Sequence, residues 1–375
     1  MILFMKKHVK HAKLSRRNYG QMAPFELAVL GTKCSIIKEM VKEVSAKINN
    51  RYKVAYADAS HDKETLAPLF DEFTFHHSGD LKNHKAYKMN PYTDKSLLAG
   101  YDLVFINGNH YPGDRQILIL DEEKEASVLK RIDQLDNIAF LINLNHRSEI
   151  FDFLKKKHPH IEKLKVYSIH DLEHISAHVQ ELIEANIAPL CGLVLAGGES
   201  LRMGTDKGLL DYFGKSQRMY SMEMLEKLNL KTYLSVRKEQ KLDQNNIIED
   251  KFLGLGPFGA ICSAFQHDPN NAWLVLATDL PYADEKLIRR LMKERDPSKV
   301  ATALKGKNKK FPEPLITIWE PRAYPVMLQF LAQGISCPRK VLINSDVKLV
   351  EVDDEFITNV NTPEEFTAIK KELGN

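Results

Sequence analysis

The sequence predicts an α/β protein with two doubly wound, mostly parallel sheets. Short apolar runs of strand length alternate along the whole chain with segments whose apolar residues recur at helical spacing. At 375 residues the chain is also longer than one hydrophobic core usually needs. A helical pattern that ends near Ala188 is followed at once by a new strand, so we place a domain boundary after Asn186. The predicted domains are residues 1–186 and 187–375.

The first half begins the alternation after a basic N-terminal segment. Its strand-like runs are residues 27–30, 54–56, 102–106, 116–120 and 138–142. A helix is predicted directly after the first run, with Ile36, Ile37, Met40, Val41 and Val44 on one face. Further helical patterns cover 122–135 and 171–188. Strands that alternate with helices in this way favour a parallel sheet covered on both faces.

The second half repeats the same rhythm. Strands are predicted at 193–196, 232–236 and 273–277, with an amphipathic helix at 219–228. Thr362 is expected to cap the last helix, with Pro363 at its first position. Because parallel strands end at one edge of a sheet, residues that follow these strands are expected to line a common crevice.

Composition excludes several classes of protein. A net charge of +3, from 53 basic and 50 acidic residues, lacks the strongly basic character of general nucleic-acid binders. The four cysteines are far apart, which disfavours a zinc site or a disulfide framework and fits a reducing compartment. No apolar run has the length of a membrane span or signal peptide. We therefore expect a cytoplasmic protein that binds neither nucleic acid nor membrane.

Basic residues and histidines in the first half are predicted to lie at the surface. Residues 6–17 carry many cations and read as a solvated arm, with an anion-binding arm as the alternative. Four histidines, His76, His77, His84 and His110, lack the spacing of metal ligands on one helix and are expected to be surface or packing residues.

A polar, glycine-rich segment follows the strand at 193–196. Gly197 and Gly198 are followed by Ser200, Arg202, Gly204, Asp206 and Lys207. Such a loop can turn backbone N–H groups toward an anion while Arg202 and Lys207 neutralise its charge. It is neither a dinucleotide fingerprint nor a Walker A loop. Taken alone, two glycines also fit a tight turn with solvated charges.

The whole segment from Leu195 to Lys207 resembles, without a gap, the LAGGxSxRMGxDK signature of the molybdenum cofactor nucleotidyltransferases. This family lies within the wider superfamily of sugar-nucleotidyltransferase-like proteins. The resemblance implies that the loop wraps the phosphates of a nucleoside triphosphate and that Lys207 approaches the α-phosphate. The residues that it assigns to the nucleotide are Leu195, Ala196, Gly197, Gly198, Arg202, Lys207, Ser235, Asp250, Gly256 and Pro257.

Further motifs of this family follow in the correct order. Asp279 ends an apolar strand in the sequence Asp279-Leu280-Pro281, where the family binds Mg²⁺; a lone aspartate there could also cap a helix. The resemblance assigns Lys207, Arg202 and Asp279 to catalysis. Arg339, Lys340, Asn359 and Asn361 are assigned to the acceptor, with the two asparagines predicted on one strand face.

Two segments of the first half resemble a small GTP-binding adapter protein of the same pathway. Residues 27–35 occupy the place of its Walker A loop, and residues 101–113 resemble its DLxxxEG strand and loop. Here the loop is shortened to Gly31–Ser35, and Asn107 replaces the acidic residue. The neutral amide of asparagine is a poorer partner for magnesium than a carboxylate. We therefore predict a degenerate adapter domain that does not hydrolyse nucleotide.

Together these features predict an enzyme that joins GMP from GTP to the phosphate of molybdopterin, releasing pyrophosphate, with Mg²⁺ as cofactor. Molybdoenzymes or other proteins of the cofactor pathway are its expected partners. Two alternatives stay open: a cytidylyl- or sugar-nucleotidyltransferase of the same superfamily, and a non-catalytic protein that binds or delivers the cofactor. Retention of both Lys207 and Asp279 favours the enzyme.

Overall fold

The computed structural model describes residues 13–59, 72–77, 81–84, 90–145, 149–197, 207–240 and 245–372, with the side chains of 81–84, 91 and 207 left out. Contacts within the chain divide it into two compact units, Asn18–Asn186 and Ile187–Asn375, with Met1–Arg17 grouped with the second. The basic segment at 13–17 thus belongs with the second unit, whereas the sequence-based division assigned it to the first. Within the described ranges, no helix is long and apolar enough to cross a membrane.

The first unit contains the predicted strands and an additional hairpin. Its strands are β1 (Glu26–Leu30), β2 (Val54–Ala57), β3 (Glu72–Phe75), β4 (Leu81–His84), β5 (Leu103–Asn107), β6 (Gln116–Leu120), β7 (Ile138–Asn143) and β8 (Val166–Ser168). Its helices are α1 (Cys34–Ile48), α2 (Pro91–Leu98), α3 (Glu125–Leu129), α4 (Asp152–Lys157) and α5 (Leu172–Ala185).

The main sheet of the first unit is parallel and doubly wound. Its order is β2-β5-β1-β6-β7-β8, and every neighbouring pair is parallel. Helices α1 and α5 pack on one face, while α3 and α4 pack on the other. The single helix predicted at 122–135 is instead α3 flanked by short 3₁₀ turns, and the β3–β4 hairpin was not predicted.

The second unit has the same layered plan. Its strands are β9 (Leu190–Leu195), β10 (Lys231–Val236), β11 (Ile247–Glu249), β12 (Ala272–Ala277), β13 (Ala301–Gly306), β14 (Glu313–Trp319) and β15 (Val347–Val352). Its helices are α6 (Gln217–Lys227), α7 (Pro257–His267), α8 (Glu285–Lys293), α9 (Ala323–Ala332), α10 (Pro338–Ile343) and α11 (Pro363–Glu372).

The sheet of the second unit is mixed. Its order is β11-β10-β9-β12-β14-β13-β15, and β14 runs antiparallel to both of its neighbours. Helices α6 and α8 cover one face, and α7, α9 and α10 cover the other. Strands β9 to β12 are parallel, with Leu195 opposite both Ser235 and Ala277. The carboxyl ends of these strands therefore meet at one edge, together with the amino end of β14.

Candidate active site

The chain leaves β9 through Ala196 and Gly197, which are held by the neighbouring strand. The Ala196 N–H donates to the carbonyl oxygen of Ser235 at 3.0 Å, and the Ala196 carbonyl accepts from Gln240 Nε2 at 2.9 Å. Gln240 in turn accepts from the Arg237 N–H at 2.9 Å. Among the described residues, the atom nearest to a Cβ added at Gly197 would be Arg237 Cγ at 3.4 Å, an ordinary contact. The start of the glycine-rich loop is thus held by β10 and the segment that follows it.

The next residues of the loop lie outside the described residues. This applies to Gly198 and Arg202, and also to the side chain of Lys207, whose backbone starts a 3₁₀ turn at Lys207–Leu209. Their assignment to phosphate binding therefore stays a prediction. The chain continues into a short bridge between Asp211 and Ser216 and then into α6.

Asp279 lies at the carboxyl edge of the sheet, two residues beyond β12. The Thr278 hydroxyl beside it donates to the carbonyl oxygen of Leu195 at 3.4 Å, which ties the ends of β12 and β9 together. The Asp279 carbonyl accepts from the Val360 N–H at 2.8 Å. Asn359 and Asn361 flank Val360, so the backbone brings both asparagines next to Asp279. Residues 358–361 are not in a strand, so the prediction that the asparagines share a strand face is wrong.

The cap of the last helix explains how this terminal segment is fixed. The Thr362 hydroxyl accepts from the Glu365 N–H at 3.3 Å, and the Glu365 carboxylate accepts from the N–H groups of Asn361 and Thr362 at 2.7 and 3.1 Å. This reciprocal pair is a capping box. The predicted cap is confirmed, and the box holds Asn361 at the start of α11.

Glu313, which sequence reasoning missed, begins β14 at the same edge and is 5% exposed. It accepts from the Leu315 N–H at 3.2 Å and from Arg339 Nη2 at 3.3 Å. Burial raises the pKa of Glu313; the Leu315 N–H and the Arg339 guanidinium oppose that shift, while the charge of Asp279 adds to it. The signal in the sequence is an acidic residue at the first position of an otherwise apolar strand.

Arg339, predicted to contact the acceptor, is engaged by this buried carboxylate. Its Nε donates to the Pro312 carbonyl at 3.3 Å, beside the bond to Glu313. The side chain of Arg339 is 47% exposed, so part of the guanidinium still faces solvent. Lys340, the next residue, is exposed. Through Glu313, Arg339 lies at the sheet edge that also holds Asp279. Among the described residues, Lys340 has no ion pair at this edge.

Tyr212 is a second residue that the sequence did not single out. It is fully buried, and its ring meets that of Phe366 edge-on at 4.8 Å between centroids. Burial raises the pKa of its hydroxyl, and the charges of Asp279, Glu365 and Tyr282 raise it further, so the hydroxyl stays protonated at neutral pH. Tyr212 is therefore a neutral polar group near Asp279 and the last helix.

The other residues predicted to contact the nucleotide lie in β10 and around the start of α7 in the second unit. Asp250 Oδ1 accepts from the Phe252 N–H and the Ser263 hydroxyl, both at 2.8 Å, which fastens the loop before α7. Gly256, with φ of +56°, precedes Pro257 at the first position of α7. Ser235 is 2% exposed within β10. These contacts show what positions α7; they leave the role of Asp250 toward a base or ribose as a prediction.

Comparison with known proteins identifies the domain that carries this edge. Residues 192–348 match the family model of the MobA-like NTP transferase domain. Residues 192–348, within the second unit, thus form a MobA-like NTP transferase domain. The nucleotidyltransferase resemblance found in the sequence is thereby confirmed.

Named proteins are similar to about half of the chain. The chain is 34% identical over 186 residues to the "Molybdenum cofactor biosynthesis bifunctional protein" of Synechocystis, covering 48% of this chain and 54% of the relative, so it spans about half of that protein's length. It is 26% identical to the "Probable molybdenum cofactor guanylyltransferase" of Natranaerobius thermophilus, covering 48% of this chain and 95% of the relative. A solved structure, molybdopterin-guanine dinucleotide biosynthesis protein A from Archaeoglobus fulgidus, is 24% identical with a TM-score of 0.41, covering 48% of this chain and 97% of that one.

The donor groups at the edge of the MobA-like domain suit a hard divalent cation. Asp279 supplies a carboxylate, and the backbone bond from Val360 to Asp279 brings Asn359 and Asn361, which carry amide oxygens, next to it in the chain. Among the residues that the structure describes, no three His, Cys, Asp or Glu side chains come together as they would to hold a metal ion by themselves. Magnesium usually takes only one or two carboxylates and completes its sphere with water and substrate phosphate oxygens. The residues present therefore fit a magnesium ion that binds together with a nucleotide.

Proposed function

We propose that the MobA-like domain transfers GMP from GTP to the terminal phosphate of molybdopterin and releases pyrophosphate. The observation that carries the proposal is the unbroken Leu195–Lys207 signature, which leaves β9 at the sheet edge beside Asp279. Guanylyltransferase names among the relatives support the choice of reaction. The sequence Ala196-Gly197-Gly198 supports guanine, because it resembles the guanylyl version of the loop rather than the AAG form of cytidylyl relatives.

In this reaction the chain aligns two phosphates and neutralises charge. Backbone N–H groups at Gly197 and Gly198, with Arg202, bind the β- and γ-phosphates, and Lys207 binds the equatorial oxygens of the α-phosphate. Asp279 holds Mg²⁺, which when bound supplies the positive charge that the departing pyrophosphate requires. The acceptor phosphate oxygen is already a nucleophile, so catalysis rests on alignment and electrostatic stabilisation rather than on a general base.

The acceptor lies, in this proposal, on the β14 side of Asp279. Arg339, Lys340, Asn359 and Asn361 provide its contacts, and Glu313 orients Arg339 through the bond described above. Such a carboxylate restricts a flexible guanidinium to one position and leaves its outer N–H groups for a phosphate. We further propose that the first unit positions the acceptor or a partner, such as a molybdoenzyme or another protein of the cofactor pathway.

A turnover assay tests the proposal directly. The purified chain is incubated with molybdopterin, Mg²⁺ and each of GTP, CTP, ATP and UTP, and both pyrophosphate and the dinucleotide product are measured. We expect GTP to be the preferred substrate and product formation to require molybdopterin. Preference for CTP, or activity with a sugar phosphate in place of molybdopterin, would establish the superfamily alternatives. Molybdopterin binding without turnover of any nucleotide would establish the delivery protein instead.

A further inference from the structure

The carboxyl edge of the first sheet carries a thiol that faces an imidazole and a carboxylate. Cys34 is the first residue of α1, Asp58 follows β2, and His110 follows β5. Cys34 Sγ lies 3.3 Å from His110 Nε2, and the same nitrogen lies 3.8 Å from Asp58 Oδ1. All three residues belong to the first unit, so the cluster depends on no contact with the second. The prediction that His110 is only a surface or packing residue does not account for this arrangement.

Neighbouring side chains hold the cluster in place. Asp58 accepts from the Tyr56 hydroxyl at 2.9 Å, the Asn107 amide at 2.9 Å and the Ala59 N–H at 2.8 Å. Burial raises the pKa of Tyr56, and its bond to Asp58 and the charges of Asp58 and Cys34 add to that shift, so the phenol remains a donor. The carboxylate beside His110 is therefore fixed by three donors.

The same edge also places a hydrogen-bond donor and a helix amino end beside the Cys34 sulfur. The Asn109 amide donates to the Thr32 carbonyl at 2.8 Å and lies 3.7 Å from Cys34 Sγ, within reach of a hydrogen bond to sulfur. Cys34 begins a helix of 15 residues, whose amino end carries partial positive charge. Thiols next to a histidine at a helix amino end are the ones that react as thiolates.

The other cysteines have different surroundings. Cys191 and Cys262 are buried, and burial raises the pKa of each thiol, in the case of Cys262 to about 12. Cys337 is exposed at the start of the six-residue helix α10. Cys337 thus offers an accessible thiol in the same chain against which Cys34 can be measured.

We propose that Cys34 is a modification site at which a low-molecular-weight disulfide forms a mixed disulfide, with His110 as the proton acceptor. The Cys34 thiol gives its proton to His110 Nε2, and the resulting imidazolium lies between the thiolate and Asp58. The thiolate attacks one sulfur of the disulfide; the new S–S bond forms as the old one breaks. The departing thiolate takes the proton from His110 and leaves as a free thiol.

Access favours a small reagent over a protein partner. Cys34 is half-buried, the His110 side chain is 19% exposed and the Asp58 side chain is 26% exposed. Oxidised glutathione, the disulfide of a tripeptide, is a reagent of this chemical class. The adduct would cover the edge at which β1, β2 and β5 end.

The test follows glutathione addition to each cysteine of the full-length protein. Native protein is incubated with oxidised glutathione at about neutral pH, quenched with acid, and digested for peptide mass spectrometry. We expect Cys34 to react about tenfold faster than Cys337, since thiolate fraction and local charge control the rate. The same comparison in denaturant, where the two thiols should react at similar rates, removes the influence of local sequence.

Two variants separate the chemistry from simple exposure. His110→Gln removes the proton acceptor but keeps a polar side chain, and should lower the Cys34 rate to that of Cys337 without changing Cys337. Asp58→Asn should lower the Cys34 rate by a smaller factor. It replaces His110→Gln as the test variant if the circular dichroism spectrum shows that His110→Gln is not folded. The proposal is overturned if native Cys34 reacts no faster than Cys337, or if a folded His110→Gln protein modifies Cys34 at the wild-type rate.

Discussion

In both units the carboxyl ends of parallel strands meet at one edge of the sheet, but the two edges differ in chemistry. At the first edge, protein groups occupy the space: the Thr32 hydroxyl donates to Asp121 at 2.7 Å, and the Asn107 amide donates to Asp58 at 2.9 Å. A Cβ added at Gly31 would lie 2.1 Å from the Ile119 carbonyl oxygen. At the second edge, the nearest described atom to a Cβ added at Gly197 would be 3.4 Å away.

This difference shows why two α/β units built on the same layered plan need not have the same activity. In both units a glycine follows the first strand within two residues of its end. At both edges, side chains that follow several strands lie close together. In the first unit those side chains bond to one another, whereas among the described residues of the second edge Gly197 has only ordinary contacts, and Asp279 follows the strand paired with β9. A ligand site requires the space as well as the residues, so the nucleotide is expected only at the second edge.

The largest expected effect is the loss of activity on replacing Asp279. If Asp279 holds magnesium as proposed, Asp279→Asn removes that carboxylate while keeping the size of the side chain, and turnover should fall by about 10²-fold or more. Steady-state pyrophosphate release across a magnesium titration measures this. Asp284→Asn is the control, because Asp284 caps α8 through a 2.7 Å bond that asparagine can also make. Wild-type turnover by Asp279→Asn at low magnesium would contradict the assignment.

Replacing Lys207 should have the next largest effect. Charge on the α-phosphate develops mostly during transfer, so Lys207→Ala is expected to lower kcat by roughly 10- to 100-fold with a smaller change in the KM for GTP. Lys215→Ala, which removes a nearby lysine paired with Glu223, serves as the control. A raised KM with unchanged kcat would make Lys207 a residue that binds substrate and transition state equally.

The sequence predicted the order of strands and helices well because apolar periodicity and strand-end residues are local signals. It predicted the position of Asp279 after a strand, the cap at Thr362 and the nucleotidyltransferase assignment. It missed Glu313 because the contact with Arg339 joins the start of β14 to α10, 26 positions later in the chain. The Cys34–His110 contact likewise joins residues 76 positions apart. Pairings of this kind depend on strand order, which the local pattern does not contain.

Replacing Gly31, which follows β1, or Gly197, which lies two residues beyond β9, by alanine should have different effects on stability. Gly31 has φ of +101° and no room for a Cβ, so Gly31→Ala should destabilise the protein by about 2 kcal/mol or more. Gly197→Ala has room in the protein and should change the free energy of unfolding by about 0.5 kcal/mol or less. Denaturant unfolding checks both, and equal destabilisation would contradict the contrast between the edges. A raised KM for GTP in the stable Gly197→Ala protein would indicate that the nucleotide approaches this backbone.

Glu313 should give the second unit a pH dependence of stability. Its pKa is raised above the ordinary value of 4.5 in the folded state, so the folded protein binds this proton more tightly than the unfolded chain. The stability of wild type relative to Glu313→Gln should therefore be greatest below pH 4.5 and fall as pH rises through the raised pKa. Urea unfolding of both proteins over a pH series measures the difference. Glu239→Gln, at an exposed position, should give no such trend, and a wild-type advantage that grows with pH would contradict the assignment.

The smallest expected effect concerns Lys33, which stands where an adapter's phosphate-binding lysine would be. Here Lys33 lies 3.3 Å from Glu123, with the two side chains 58% and 76% exposed, a surface pair that contributes little to stability. The loop from Gly31 to Lys33 is too short to encircle a β-phosphate, and Asn107 already binds Asp58. GTP hydrolysis by the full chain without acceptor should therefore stay at background, and Lys33→Ala should change neither that rate nor product formation at the second edge. Steady GTP hydrolysis that Lys33→Ala abolishes would show instead that the first edge retains a working phosphate site.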